Sequence, residues 1–224
     1  MPPLELLPAV EIEPPTAARF SVLWLHGLGA DGHDFPPVVP ELRLPGSASV
    51  RFVFPHAPSI PVTINGGMVM PAWYDIRDAD LTRRHDEAGI LQSAAALERW
   101  IAHEHERGIP SERIVLAGFS QGGAIASHVA LRHPEPLLGL VILSTYLVRE
   151  ATLEGERSPA NRELPIFAAH GSLDPMVLPE RGRAARERLV ELDYDVEWHE
   201  YPMGHQVCIE ELRDLGAWLA RRFA

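Results

Sequence analysis

Between residues 113 and 130 the chain passes from an apolar run, Arg113-Ile-Val-Leu-Ala117, through Gly118-Phe119-Ser120-Gln121-Gly122 and into Gly123-Ala-Ile-Ala-Ser-His-Val-Ala130. That succession predicts a strand, a sharp turn crowded with glycines, and a helix. A turn of this kind holds its serine in a strained backbone conformation, and side chains at the two flanking positions would clash. The hydroxyl is then pushed out at the carboxyl end of a sheet, beside the first amides of the helix, a placement suited to covalent acyl chemistry. The five residues alone are weak evidence, since ordinary glycine and serine usage produces them by chance. Their setting between a strand and a helix is what constrains the fold.

The rest of the chain repeats the alternation. Apolar, β-rich runs at Phe20–Leu25, Val50–Phe54, Ile114–Ala117, Leu138–Leu143, Ile166–Ala169 and Val196–Tyr201 are candidate strands. Several are apolar almost throughout, as expected where both faces of a parallel sheet are covered. Helices are expected over Asp86–Arg107, Gln121–Arg132, Pro179–Leu192 and Gln206–Phe223. The first places Ile90, Leu91, Ala94, Ala95, Leu97 and Ile101 on one stripe and stops at Gly108, with Pro110 beyond. Strands joined by helical crossovers imply an α/β chain with a doubly wound, mostly parallel sheet and helices on both faces. The length, 224 residues, suits one domain spanning 1–224. Two segments, His56 to Arg84 and Thr145 to Leu164, take no assignment; loops this long are usually functional.

Charge and cysteine content narrow the partners. With 20 basic and 31 acidic residues the net charge is −11, which disfavours nucleic acid. The densest basic cluster, Arg181, Arg183, Arg186 and Arg188, is interleaved with Glu180, Glu187 and Glu191 and reads as a solvated helix surface. One cysteine, Cys208, excludes an intramolecular disulfide and fits a reducing compartment; it reads as a buried thiol on the last helix. The first residues, Met1 to Pro8, have neither a basic start nor a sustained apolar stretch, and no segment is long enough to span a bilayer. The expectation is a cytoplasmic protein without stable membrane insertion, monomeric or homodimeric.

A serine nucleophile needs a base and a group that orients the base. Of eleven histidines, His205 follows the last strand, and its loop opens at the carboxyl edge that presents Ser120. Asp174 lies just past the strand Ile166–Ala169 and reaches the same edge. The order Ser120, Asp174, His205 is that of doubly wound hydrolases. His85, His103, His105, His128, His133 and His199 fall on helices, at their ends, or in a strand, where packing or surface roles are expected. His103-Glu-His-Glu106 lacks a second ligand at helical spacing because position 107 is arginine, so no catalytic metal is expected. Amides for an oxyanion are expected from Gln121, first in its helix, and from Leu28 in the glycine-rich loop after the first strong strand. That loop carries no phosphate-binding or dinucleotide-binding glycine pattern. Apolar residues expected in loops at this edge are Leu28, Met70, Trp73, Leu147, Met176 and Val177, candidates for an acyl pocket; Trp73 reads equally well as core.

Leu25-His-Gly-Leu-Gly-Ala-Asp-Gly-His-Asp34, Gly118-Phe-Ser-Gln-Gly-Gly123, His170-Gly-Ser-Leu-Asp-Pro175 and Gly204-His205 together resemble the phospholipase/carboxylesterase family. Pro55-His-Ala-Pro58 and Met70-Pro-Ala-Trp-Tyr-Asp75 resemble its middle segment. The likeness covers nearly the whole chain. It implies an α/β-hydrolase fold without a large cap domain, no cofactor, and hydrolysis of carboxylic esters or thioesters. Carried over by position, it implies nucleophile, acid and base at Ser120, Asp174 and His205, and oxyanion amides at Leu28 and Gln121. The expected substrate is a small ester or acylated molecule, and the leading expectation a serine carboxylesterase for short to medium acyl chains, working through an acyl-enzyme. An acyl-protein thioesterase or lysophospholipase is the nearer alternative, and a non-catalytic binding protein on the same scaffold the distant one.

Overall fold

Phe20–Leu25 has every residue buried, and its side chains alternate between two apolar layers. Leu23 and Leu25 face one, with Ile90, Leu97, Ile101 and Ala124. Phe20, Val22 and Trp24 face the other, with Leu212, Leu215, Trp218 and Leu219. A strand buried on both faces must lie inside a sheet sandwiched by helices. In this computed structural model, which describes residues 6–78 and 86–224, that is what surrounds it.

Among the described residues the strands, in chain order, are β1 (Ala9–Ile12), β2 (Phe20–Leu25), β3 (Val50–Pro55), β4 (Ser59–Val62), β5 (Met68–Pro71), β6 (Ile114–Phe119), β7 (Gly139–Leu143), β8 (Ile166–Gly171) and β9 (Val196–Tyr201). The α-helices are α1 (Glu87–Glu106), α2 (Gln121–Ala130), α3 (Glu150–Glu156), α4 (Pro179–Glu191) and α5 (Ile209–Arg222). Seven strands form one sheet in the order β1-β3-β2-β6-β7-β8-β9. Only β1, antiparallel to β3, departs from parallel pairing. Helices α1, α2 and α4 contribute to the first apolar layer and α5 to the second. The chain thus has the α/β-hydrolase fold. Its carboxyl-end loops, after β2, β6, β8 and β9, open on one edge, as loops of a parallel sheet must.

Helix α1 begins after Asp86 and ends as its sequence requires. Gly108 has φ 87° and donates to His105 O at 2.9 Å, while Ile109 N–H reaches back to Glu104 O at 2.9 Å, a Schellman closure. The buried stripe differs from expectation. Leu91 is 44% exposed and Ala95 half-buried, whereas Ser93, Trp100 and Glu104 are buried beside Ile90, Ala94, Leu97 and Ile101. Polar residues win those places because each finds a partner: Ser93 Oγ donates to Trp73 O, and Glu104 accepts from Arg51 at 2.8 Å.

The two unassigned segments hold local structure. After His56 comes the antiparallel hairpin β4–β5, turned through Gly66 (φ 67°) and Gly67 (φ 79°). It stands outside the main sheet, with Met68 and Val69 exposed, so no periodic apolar face marks it. After Thr145 come α3 and a short 3-10 turn, Pro159–Asn161. The four-residue edge strand β1 was also silent in the sequence. Helix α5 starts at Ile209 rather than Gln206, because Cys208, which precedes it, is extended at φ −122°, ψ 166°. Cys208 is therefore a half-buried residue preceding the helix, not a buried helical thiol. Along α4, Arg183 pairs with Glu200 and Arg188 with Glu154 and Glu191, so acids neutralise this basic stretch. His85 lies outside the described residues.

Glu211, in the first turn of α5, is fully buried, and burial pushes its carboxyl up to about 8. A folded-state value above the unfolded one means stability present below pH 4.5 and lost as pH rises through 8. Glu211→Gln should match the parent in urea unfolding at pH 5 and exceed it by a few kcal/mol at pH 9. An equal difference at both pH values would show that this carboxyl does not titrate on unfolding.

Candidate active site

The turn between β6 and α2 places Ser120 at φ 53°, ψ −122°, a conformation costing a non-glycine residue about 1–3 kcal/mol. Its neighbours hold it there. Ser120 N–H donates to Leu143 O at 2.9 Å, and Ser120 O accepts from Thr145 Oγ1 at 2.5 Å and Ala124 N–H at 3.1 Å. The flanking glycines are demanded by close approach. A Cβ on Gly118 would lie 2.4 Å from the Gly122 carbonyl, and one on Gly122 would lie 2.4 Å from Leu25 O. The elbow is thus wedged against the end of β2.

Asp174 and His205 come from the loops after β8 and β9 and meet, His205 Nδ1 lying 2.7 Å from Asp174 Oδ2. The Asp174 side chain is wholly buried, while that of His205 keeps 19% of its surface exposed. Asp174 Oδ1 accepts from Met176 N–H at 2.8 Å and Val177 N–H at 3.0 Å, so the carboxylate is aimed by its own loop. With Nδ1 donating to Asp174, the lone pair of Nε2 remains free for another proton. The two loops are laced together by Ser172 N–H to Tyr201 O (2.8 Å) and Leu173 N–H to Met203 O (3.0 Å). Gly171 permits this, since a Cβ there would lie 2.4 Å from Gly204 O. The His205 ring packs on Phe119, the residue before Ser120, at 4.7 Å between centroids.

A second histidine supports this pair. His170 is buried, its Nε2 donating to Val177 O at 2.8 Å beneath the Asp174 loop, and burial lowers its pKa. It stands within the His170–Pro175 motif of the sequence, which assigned it no role. His103 and His105 lie on α1, His128 on α2, His133 just beyond it and His199 on β9; none lines the cavity that Ser120 faces. His128 is held near 4 by burial and by Arg132 and Arg149, which keeps it neutral.

The loop after β2 carries Leu28, whose amide has no protein acceptor among the described residues. Gln121 begins α2, so its amide has no intrahelical acceptor either. Three buried side chains fasten the loop. His26 donates from Nδ1 to Gly27 O at 2.8 Å and accepts from Ala57 N–H on Nε2 at 3.1 Å; burial lowers its pKa and keeps the ring neutral. Trp73 Nε1 donates to His26 O at 2.9 Å. The Gln121 carboxamide accepts from Trp73 N–H at 2.8 Å and donates to Tyr74 O at 2.7 Å, tying the middle loop to the elbow.

Ser120 and His205 share a cavity of about 420 Å³ with Leu28, Met70, Met176, Val177 and Gln121. Ile64, Ile76, Phe119 and Tyr146 complete its apolar wall. Trp73 and Leu147 do not reach it. The Trp73 indole is turned inward by its bond to His26, and Leu147 packs into the apolar core. Tyr146 takes the place expected of Leu147. Its hydroxyl meets that of Tyr74 at 2.7 Å, and burial raises it to about 12, so both stay protonated.

A model of the phospholipase/carboxylesterase family matches residues 8–222. Acyl-protein thioesterase 1 of Neurospora crassa is 43% identical, the alignment covering 99% of this chain and 91% of that protein. The crystal structure of Zea mays acyl-protein thioesterase 2 superposes with a TM-score of 0.84 at 27% identity, over 97% of this chain and 100% of that one. That of esterase PE8 gives 0.79 at 28%, over 96% and 97%. The chain belongs to the phospholipase/carboxylesterase family of α/β hydrolases and is an enzyme of the hydrolase class. No helix among the described residues is long and apolar enough to cross a membrane.

Truncating Gln121 to alanine keeps its amide but strands the Trp73 N–H and Tyr74 C=O, at about 1–3 kcal/mol per buried group. Gln121→Ala should lower the urea midpoint accordingly. An unchanged midpoint would mean the carboxamide does not hold the loop.

Proposed function

We propose that this hydrolase is a serine-dependent acyl thioesterase whose substrate class is S-acylated protein. The observation that carries the chemistry is the Asp174–His205 pair, at 2.7 Å, opening on the same apolar cavity as the strained Ser120. His205 Nε2 takes the hydroxyl proton as Ser120 Oγ attacks the thioester carbonyl carbon. The carbonyl oxygen becomes an oxyanion held by the Leu28 and Gln121 amides, the second at the positive end of α2. Buried Asp174 stabilises the imidazolium. As the intermediate collapses, the carbon–sulfur bond breaks and the leaving sulfur takes the proton from His205. Water then attacks the acyl-enzyme, His205 again accepting and returning the proton, and releases the carboxylic acid and free Ser120.

The thioester preference is supported by the acyl-protein thioesterases among the relatives, and by the cavity. An apolar chain fits against Ile64, Met70, Ile76 and Val177, while Met176, 70% exposed, marks a rim open to solvent where an attached polypeptide can remain outside. A single half-buried cysteine agrees with work in a reducing cytoplasm. The second reading, a carboxylesterase for short to medium acyl chains, is supported by the likeness to the solved esterase.

An S-palmitoylated peptide and a short-chain nitrophenyl ester separate the two. The thioesterase reading expects kcat/KM on the peptide to exceed that on the ester; the reverse order favours the carboxylesterase. Ser120→Ala should lower turnover of either by about 10⁴-fold or more and abolish labelling by a fluorophosphonate. Labelling that survives the substitution would overturn the nucleophile assignment, and a parent that takes no label would favour the binding-protein reading.

A further inference from the structure

The loop after β2 and the residue after β3 bring three metal-binding side chains together outside the cavity. Asp31, His33 and His56 each offer one donor atom, and these atoms lie within 4.8 Å of one another. The backbone builds the cluster. Asp31 Oδ1 accepts from His33 N–H at 2.7 Å, which aims the carboxylate, and lies 3.0 Å from His33 Nδ1. The rings of His33 and His56 are 5.2 Å apart. Between them Gly32 runs so close to β3 that a Cβ would lie 2.3 Å from Phe54 O, and its N–H donates to His56 Nδ1 at 3.1 Å.

Two imidazoles and one carboxylate make a nitrogen-rich set that suits zinc and its transition-metal neighbours rather than magnesium or calcium. Zinc bonds of about 2.0–2.2 Å hold tetrahedral ligands about 3.4 Å apart. Asp31 and His33 already stand 3.0 Å apart, and a metal would draw all three donors in from their present spread of up to 4.8 Å, with water completing the shell. We propose that Asp31, His33 and His56 bind a divalent transition metal of the zinc type and that its occupancy slows the enzyme.

The coupling follows from the single lone pair of a neutral imidazole. His56 Nδ1 spends it on Gly32 N–H. A metal on Nδ1 displaces that bond directly. A metal on Nε2 moves the ring proton to Nδ1, so that two donors face each other. Either way Gly32 is released, in the loop that carries Leu28 and whose residues Ala30 and Asp34 line the cavity. The slowing rests on the proposed role of the Leu28 amide; the binding does not.

Equilibrium dialysis of the full chain against zinc chloride, after chelator treatment, tests the site. One zinc per chain is expected, with at least tenfold weaker binding in His33→Ala and Asp31→Asn. Ser120→Ala should bind zinc like the parent, which separates this site from the fate of the nucleophile assignment. His33 lies outside the cavity, so His33→Ala keeps basal thioester turnover, while zinc slows the parent several-fold and chelation restores it. The variant should need at least tenfold more zinc for the same slowing. Unchanged zinc affinity in His33→Ala overturns the site, and equal inhibition of parent and variant overturns the coupling.

Discussion

At the carboxyl end of the sheet three stretches of backbone meet with no room for side chains: the end of β2, the end of β6 and the first turn of α2. Gly118 and Gly122 make the meeting possible, and Leu25 and His26 carbonyls form its floor. Because the first turn of α2 is pressed on β2, Ser120 has no relaxed conformation to adopt, and bonds from Leu143, Thr145 and Ala124 hold the positive φ. The loop after β2 is then forced past the elbow, which brings Leu28 and Gln121 to one cavity. Packing that cannot collapse differently is what holds the strain in place.

The remainder of the site is fastened by buried polar groups rather than by the sheet. His26, Trp73 and Gln121 form a chain of hydrogen bonds from the loop after β2, through the middle loop, to the elbow. On the other side His170 and the Met176 and Val177 amides aim Asp174, and Asp174 aims His205. In a low-dielectric interior each bond is costly to leave unmade, so a loop so fastened is confined to one arrangement. Farther along the loop after β2, Asp31 and His33 lie at the surface beside His56, which follows β3. There Gly32 N–H is bound to the lone pair of the half-buried His56 imidazole, and a competitor for that lone pair reaches it from solvent.

Several features were silent in the sequence for identifiable reasons. The β4–β5 hairpin buries no periodic face, β1 is an edge strand of only four residues, and α3 is seven residues long, so none carries a pattern that hydrophobic spacing detects. On α1, Ser93 and Glu104 displaced Leu91 and Ala95 from the core because their partners, Trp73 O and Arg51, arrive from distant parts of the chain.

By itself the sequence determined the six parallel strands, the four longer helices and their doubly wound order, because apolar runs buried on both faces and glycine-bounded turns are written in local order; the hydrolase fold followed from the resemblance of its motifs. It also determined that Ser120, Asp174 and His205 follow strands that end at one edge. Tertiary structure alone decided which loop residues face the cavity. Tyr146 points in and Leu147 away, Trp73 turns down onto His26, and Ile64 and Ile76 arrive from a hairpin region without periodicity. A loop residue's direction depends on partners far away in the chain, and neighbouring residues there obey no repeating rule.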